Sequence, residues 1–281
     1  MFTFLEQCCA MEGLMKKFIL NLLNMGMTGA STYAALHKGM EVFKAGDYAE
    51  AWSIFFKLAE KGDTEAQNNL AFMYYHGEGV PQDLHKAAQW FMVAAEHGHA
   101  DAQYNLGNLY YYGQGLEKNY HLALKWYLRA AENGKTAAQT NIGNLLYNGK
   151  GVEVDYFQAA RWFQKSAENG DPKAQHNLAM MYYKGQGLHQ DYHKAAQWYL
   201  KAAENGDAKA QHNLGILYYK GQGVIVDYVE SYAWFNLANA FGHKASSINL
   251  NHLKSRMTAE QVAQAQALSK DRWDMIHEKI K

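Results

Sequence analysis

Ala174-Gln175-His176-Asn177-Leu178-Ala179-Met180-Met181-Tyr182-Tyr183-Lys184-Gly185-Gln186-Gly187 is the stretch that decides the fold. Ala174, Leu178 and Met181 stand at helical spacing and give the segment one apolar face. Gly185-Gln186-Gly187 ends the helix, because glycine enters the left-handed backbone region without the penalty a side chain incurs. Leu188-His189-Gln190 crosses over, and Asp191 is placed to accept hydrogen bonds from the free N–H groups of a second helix. That helix is predicted over Tyr192 to Asn205, with Ala195, Trp198, Tyr199 and Ala202 along one stripe and Gly206 as its stop. The alanines let neighbouring helices approach closely, while Trp198 and Tyr199 fill the space between layers. Both helices are too short to persist alone in water, so packing must hold them.

The same phrase opens at Ala66-Gln67, Ala102-Gln103, Ala138-Gln139, Ala174-Gln175 and Ala210-Gln211, a constant step of 36 residues. Trp90, Trp126, Trp162, Trp198 and Trp234 share one position in it, and Asp83, Asn119, Asp155, Asp191 and Asp227 share the capping position. Gly98, Gly134, Gly170, Gly206 and Gly242 share the stop. A period of this size marks an array in which each unit buries its apolar face against its neighbours. The expected fold is all-α, a right-handed α/α superhelical solenoid of tandem helix–turn–helix repeats with a C-terminal capping helix.

Written as A-Q-x-N-L-G-x-L-Y-Y-x-G-Q-G-V/L-x-x-D-Y-x-K-A-x-x-W-Y-x-K-A-A-E-x-G, the repeat resembles the Sel1-like repeat, a relative of the tetratricopeptide repeat with a longer interhelical loop. The match runs from Ala66 to about Ala245. Five units follow, at 66–101, 102–137, 138–173, 174–209 and 210–245. Ahead of them, residues 34–65 resemble a shorter tetratricopeptide-like unit: Gly46-Asp47-Tyr48-Ala49-Glu50-Ala51 through Ala59-Glu60-Lys61-Gly62 keeps the second helix and lacks the Gly-x-Gly loop. The fifth unit drifts, with Ser231, Asn239 and Ala240 at positions that hold Ala, Ala and Glu elsewhere. Residues 246–281 read as capping helices, one over Ser247 to Met257 and a last one opened by the capping box Thr258-Ala259-Glu260-Gln261 and running through Arg272. A divergent, more polar end shields the last layer of such an array.

Lys plus Arg and Asp plus Glu are each 27, a neutral balance without the footprint of a nucleic-acid binder. The only cysteines, Cys8 and Cys9, are adjacent and precede the repeats, so they offer neither a disulfide framework nor a zinc set. Residues 1–33 admit two readings. Met15-Lys16-Lys17 followed by Phe18-Ile19-Leu20-Asn21-Leu22-Leu23, with small residues to Ala34, resembles a leader and implies a periplasmic or secreted protein. The alternative is a disordered or loosely helical N-terminus on a cytoplasmic protein. No segment is long enough to span a bilayer.

The usual catalytic signatures are missing: Cys-x-x-Cys, His-Glu-x-x-His, Gly-x-x-x-x-Gly-Lys, Gly-x-Ser-x-Gly and Ser-x-x-Lys do not occur. Some cysteine-rich relatives are associated with penicillin binding, but the repeats here carry no cysteine. The histidines recur in columns, His85, His121 and His193 in one and His176 and His212 in another. Equivalent positions on adjacent helices lie roughly 8–10 Å apart, too far for a shared metal whose ligands sit at about 2.0–2.1 Å. They read as polar surface residues, with no metal and no cofactor expected. The Gln-Asn pairs (Gln67/Asn69, Gln103/Asn105 and onward) read as ties between helices and loops.

The variable positions carry the functional expectation. On the first helices three rows change between copies: Asn68, Tyr104, Thr140, His176, His212; then Phe72, Asn108, Asn144, Met180, Ile216; then His76, Tyr112, Asn148, Lys184, Lys220. The i, i+4, i+8 spacing places the rows on one helical face. The resemblance implies that first helices line a concave side, a groove of roughly 40–50 Å at about 8–10 Å per layer. The expected function is a non-enzymatic, monomeric scaffold that binds a protein or peptide partner there. The alternative is an envelope binder or hydrolase acting on peptidoglycan-like or β-lactam substrates.

Overall fold

The computed structural model describes residues 31–279, all of whose regular elements are helices. The leader-like segment and Cys8-Cys9 lie outside the described residues. The chain divides into two compact units, one ending at Lys118 and one beginning at Asn119.

In the first unit, α1 (residues 31–44) and α2 (Tyr48–Ala59) form the short pair ahead of the repeats, joined by a tight turn at residues 45–47. Asp47 caps α2 through Glu50 N at 3.1 Å, and the Phe55 ring presses where a Cβ on Gly39 would stand, 2.7 Å away. α3 (Thr64–His76), α4 (Leu84–Glu96) and α5 (Ala100–Tyr112) follow, with the longer Gly-x-Gly crossing between α3 and α4. The buried core of Ala51, Phe55, Leu58, Ala66, Leu70 and Met73 lies between α2 and α3, as the apolar periodicity requires.

The second unit alternates first and second helices of the repeat: α6 (Tyr120–Glu132), α7 (Thr136–Asn148), α8 (Tyr156–Glu168), α9 (Pro172–Lys184), α10 (Tyr192–Glu204), α11 (Ala208–Lys220) and α12 (Tyr228–Ala240). α13 (Ser246–Lys254) and α14 (Ala259–Lys279) complete it. Each expected capping residue works: Asp83, Asn119, Asp155, Asp191 and Asp227 accept from the backbone N–H three residues on, each at 2.9 Å.

Two seams join consecutive repeats. The first is the Gly-x-Gly turn. Its first glycine caps the helix in the left-handed region, as at Gly185 with φ 69°. Its second lies on the backbone that opens the preceding second helix: a Cβ on Gly187 would stand 2.3 Å from Tyr156 O, and one on Gly223 2.2 Å from Tyr192 O. The second seam is the buried glutamine column. Gln67, Gln103, Gln175 and Gln211 donate through Nε2 to Ala59, Ala95, Ala167 and Ala203 carbonyls at 3.1, 3.0, 3.2 and 3.1 Å. Those carbonyls lie in the last turn of the preceding second helix, where each also accepts from a glycine N–H just beyond it, Gly62, Gly98, Gly170 and Gly206 at 3.0, 3.1, 3.0 and 3.0 Å. The glutamines therefore tie helices, as their recurrence suggested.

The C-terminal end departs from the expected boundaries. α13 stops at Lys254 because the Ser255 hydroxyl donates to His252 O at 2.8 Å and Arg256 N to Leu253 O at 2.8 Å, turning the chain. The capping box forms reciprocally, Gln261 N on Thr258 Oγ1 at 3.2 Å and Thr258 N on Gln261 Oε1 at 2.9 Å. α14 then continues past Arg272, since Ile276 is buried and Trp273 packs on Phe241 with centroids 4.6 Å apart. Arg272 pairs with Glu230 at 2.9 Å and covers the Trp234 ring at 4.2 Å, fastening α14 to α12.

The turn geometry sets a graded expectation. Gly206, at φ +83° with nothing within 4 Å of its would-be Cβ, bears only the left-handed backbone penalty when replaced by alanine, about 1–2 kcal/mol. G187A and G223A add a collision with backbone and should each destabilise the chain clearly more than G206A in urea unfolding followed by circular dichroism. Equal losses at all three positions would contradict the seam.

Candidate partner-binding face

The three variable rows do not face one way. A step of four residues advances about 40° around a helix of 3.6 residues per turn, so the first and third rows differ by about 80°. The inner row turns inward. Thr140 is 4% exposed, with its hydroxyl 2.8 Å from Ser166 Oγ on α8, so the open stripe expected of this row fails there. His176 Nδ1 lies 3.4 Å from the Asp207 carboxylate that caps α11, and its ring meets Tyr199 edge-on at 5.5 Å. His212 Nδ1 is 2.8 Å from Ser246 Oγ, with its ring against Phe235 and His243 at 5.2 and 4.4 Å. Asn68 and Tyr104 are half-buried.

In the middle row Asn108, Asn144, Met180 and Ile216 are half-buried and Phe72 is 39% exposed. Asn144 is engaged by Asn177 Nδ2 at 3.1 Å. The outer row, His76, Tyr112, Asn148, Lys184 and Lys220, is exposed throughout.

Open pockets lie where the middle and outer rows of one first helix meet the next. In the first unit, Phe72, His76, Asn105 and Asn108 surround a pocket of about 200 Å³ floored by Phe91. In the second, Met180, Lys184, Asn213, Ile216 and Lys220 surround one of about 260 Å³ over Tyr199. Beside it, Ile216, Lys220, Asn249 and His252 surround one of about 220 Å³ over Phe235. Phe91, Tyr199 and Phe235 occupy one repeat position, as do Asn105, Asn213 and Asn249. Sequence reasoning set these columns aside as invariant packing, and it left Asn249 and His252 out of the repeat. The signal was available: Asn249 and Leu253 stand one 36-residue step beyond Asn213 and Leu217, so α13 takes the place of a sixth first helix.

The other recurring side chains are engaged within each unit. Tyr75, Tyr147 and Tyr183 donate to Gln114, Gln186 and Gln222 in the next turn at 3.0, 2.7 and 3.3 Å. His85 and His193 place Nδ1 3.3 and 3.2 Å from the Gly115 and Gly223 carbonyls, while Nε2 meets Gln89 and Gln197 at 3.2 and 3.0 Å. Both nitrogens of these histidines are thus in use. Trp126 and Trp234 are buried and Trp90, Trp162 and Trp198 half-buried. Arg129, Lys165 and Lys201 lie over Trp126, Trp162 and Trp198 at 4.8, 5.6 and 4.1 Å. The tryptophans belong to the packing.

The Sel1 repeat model matches residues 64–99, 100–135, 136–171, 172–207 and 208–240. The chain belongs to the Sel1 repeat family. Among solved structures, the fold is similar to c5321, a protective antigen of uropathogenic Escherichia coli with an SLR fold: 35% identity, TM-score 0.79, covering 89% of this chain and 54% of that one. It is also similar to a Sel1 repeat protein from Oxalobacter formigenes at 31% identity and TM-score 0.73, covering 84% of this chain and 96% of that one. DAP3-binding cell death enhancer 1 from Rattus norvegicus is 47% identical over 49 residues, which is 17% of this chain and 10% of that protein. The chain thus spans about half the length of the antigen and a tenth of the rat protein.

At the C-terminal end of the repeats, the half-buried His212, stacked against His243, makes stability depend on pH. Burial first, and then neighbouring His243, push the His212 imidazole down to about 4 from its ordinary 6.5. Between these values the unfolded chain binds a proton that the folded chain does not. The contribution of His212 to stability is therefore full above pH 6.5 and is lost as pH falls toward 4. The urea midpoint should drop more between pH 7 and pH 5 in the wild type than in H212N. Equal drops would contradict the assignment.

Proposed function

We propose that this Sel1 repeat protein is a non-enzymatic, monomeric scaffold that holds a protein or peptide partner on the face presented by its first helices. The observation that carries this reading is a division of labour on one helix. The recurring Gln, Tyr and Gly are engaged between repeats. The outer variable row stays exposed beside open, apolar-floored pockets. Such a surface offers aromatic and aliphatic anchors with a polar rim, the composition of a recognition patch. The polar members of these three pockets are amide, imidazole, phenol and ammonium groups, and the pocket over Phe235 sets the Tyr219 hydroxyl 3.2 Å from His252 Nε2.

We further propose export to the periplasm or the outside, on the charge and apolar pattern of Met15 to Leu23. The family member described as a protective antigen accords with this. Intact mass of the protein purified from its native cell should show loss of the residues before about Ala34; a retained Met1 or Met15 would refute it.

Partner capture tests the scaffold reading. Tagged wild-type chain, cross-linked in native cell extract, should retain a defined protein. The F72A/Y112A/M180A variant should lose it by roughly tenfold or more with an unchanged helical circular dichroism spectrum. Equal retention by the variant, or hydrolysis of nitrocefin by the purified wild type, would overturn the proposal.

A further inference from the structure

The chain as a whole balances its charges, but the second unit sorts them. Its first helices α7, α9, α11 and α13 contain no Asp or Glu within their bounds, yet carry Lys173, Lys184, Lys209, Lys220 and Lys254. The second helices carry Glu132, Glu168, Glu204 and Glu230, and Asp171 and Asp207 cap α9 and α11 from just outside their bounds. Three lysines of the second helices are engaged where they stand: Lys194 reaches its own cap Asp191 at 3.9 Å, and Lys165 and Lys201 lie on tryptophan, whereas Lys125 of α6 and Arg161 of α8 are exposed.

Lys184 and Lys220 differ. Both are exposed, and among the described residues neither pairs with a carboxylate. One further step of 36 residues reaches Arg256, exposed, with Nη1 donating to Tyr219 OH at 3.0 Å. A cation thus recurs along the outer row, and two of these cations border the pockets. Lys184 and Lys220 flank the pocket over Tyr199, and Lys220 stands again at the pocket over Phe235. The two pockets share Ile216 and Lys220 and so adjoin. Their walls combine Met180, Ile216, Leu217 and Leu253 with the asparagines Asn213 and Asn249.

We infer that the first-helix face of the second unit docks an extended, acidic protein segment whose apolar side chains enter the successive pockets while its carboxylates meet Lys184 and Lys220. This rests on the scaffold reading and names the chemistry of the partner. Unpaired cations gathered on one face select an opposite charge and speed its encounter. Spacing limits the conformation. Packed helices lie about 8–10 Å apart, and an extended polyproline-type segment, rising about 3.1 Å per residue with three residues per turn, returns a side chain to one face about every 9 Å. The fitting pattern is an apolar residue at every third position with acidic residues between. A nucleic acid could meet the lysines, but its phosphates would leave the aliphatic walls of both pockets without a partner.

The test uses the full chain and a capped, fluorescein-labelled peptide with leucine at every third position and glutamate between, titrated by fluorescence anisotropy. The glutamate peptide should bind, the version with lysine in place of glutamate should not, and leucine at every second position should bind more weakly. K184E/K220E should weaken binding by about tenfold or more, and raising the salt should weaken the wild type. If circular dichroism shows that this variant does not fold, K184Q/K220Q serves, with a loss of about threefold expected. Failure of the glutamate peptide to bind, indifference to either variant, or tighter binding of a thymidine oligonucleotide of equal charge would overturn the inference. Capture of a partner that is lost in F72A/Y112A/M180A, together with no binding of the glutamate peptide, would leave the scaffold reading standing and sink this inference alone.

Discussion

Successive repeats meet at a backbone approach that leaves no room for a Cβ. The second glycine of each Gly-x-Gly turn rests on the start of the preceding second helix, as Gly187 does on Tyr156 and Gly223 on Tyr192. A positive φ and a backbone contact are imposed at one atom, and only glycine satisfies both. The buried glutamine fixes the other end of that second helix by adding a second donor to a carbonyl of its last turn. The repeats that open at Ala66, Ala102, Ala174 and Ala210 are thereby fastened at two points to the unit before them. The spacing of first helices, and with it the width of every pocket between them, follows from these contacts.

Because the fastening is done by a fixed set of residues, the remaining positions on the same helices are released from structural duty in proportion to their angle from the seam. The inner variable row is still within reach of neighbouring helices, which is why Thr140 binds Ser166 of its own repeat and His212 binds Ser246 of the next layer. The outer row is not. It varies from imidazole to phenol to amide to ammonium along the chain, beside pockets whose floor keeps one aromatic column. Such a design changes specificity without disturbing the stack. In the second unit, two outer residues, Lys184 and Lys220, are cations on helices free of acids, and this separates the pockets they border from the Phe72 and His76 pocket.

Much of this architecture was legible in the residues. The constant period, the capping Asp and Asn, and the paired glycines are local signals with single physical meanings, and the helices form where they indicate. The end of the chain was less legible. α13 keeps Asn249 and Leu253 from the repeat but replaces its Ala-Gln opening with Ser246-Ser247, so its role as a sixth first helix shows only once its place beside α11 is known. α14 outran its expected end because Ile276 and Trp273 continue the apolar spacing beyond Arg272. Among the candidate residues, the outer and middle rows lie where the helical period placed them. Three positions on one face were treated as equivalent, although the drift of about 80° between the first and third decides which is buried. The asparagine and aromatic columns of the pockets were passed over because recurrence was equated with packing. A residue can line an opening and still recur when the opening itself repeats.

The proposed scaffold places partner contact on the outer row of the first helices, while Lys165 and Lys201 of the second helices stay on their tryptophans. Lysine acetylation footprinting of the full chain, read by mass spectrometry with and without bound partner, tests it most directly. Lys184 and Lys220 should become protected, while Lys165 and Lys201, which lie on Trp162 and Trp198, should react equally in both states. Protection confined to Lys165 and Lys201, with Lys184 and Lys220 unchanged, would contradict it.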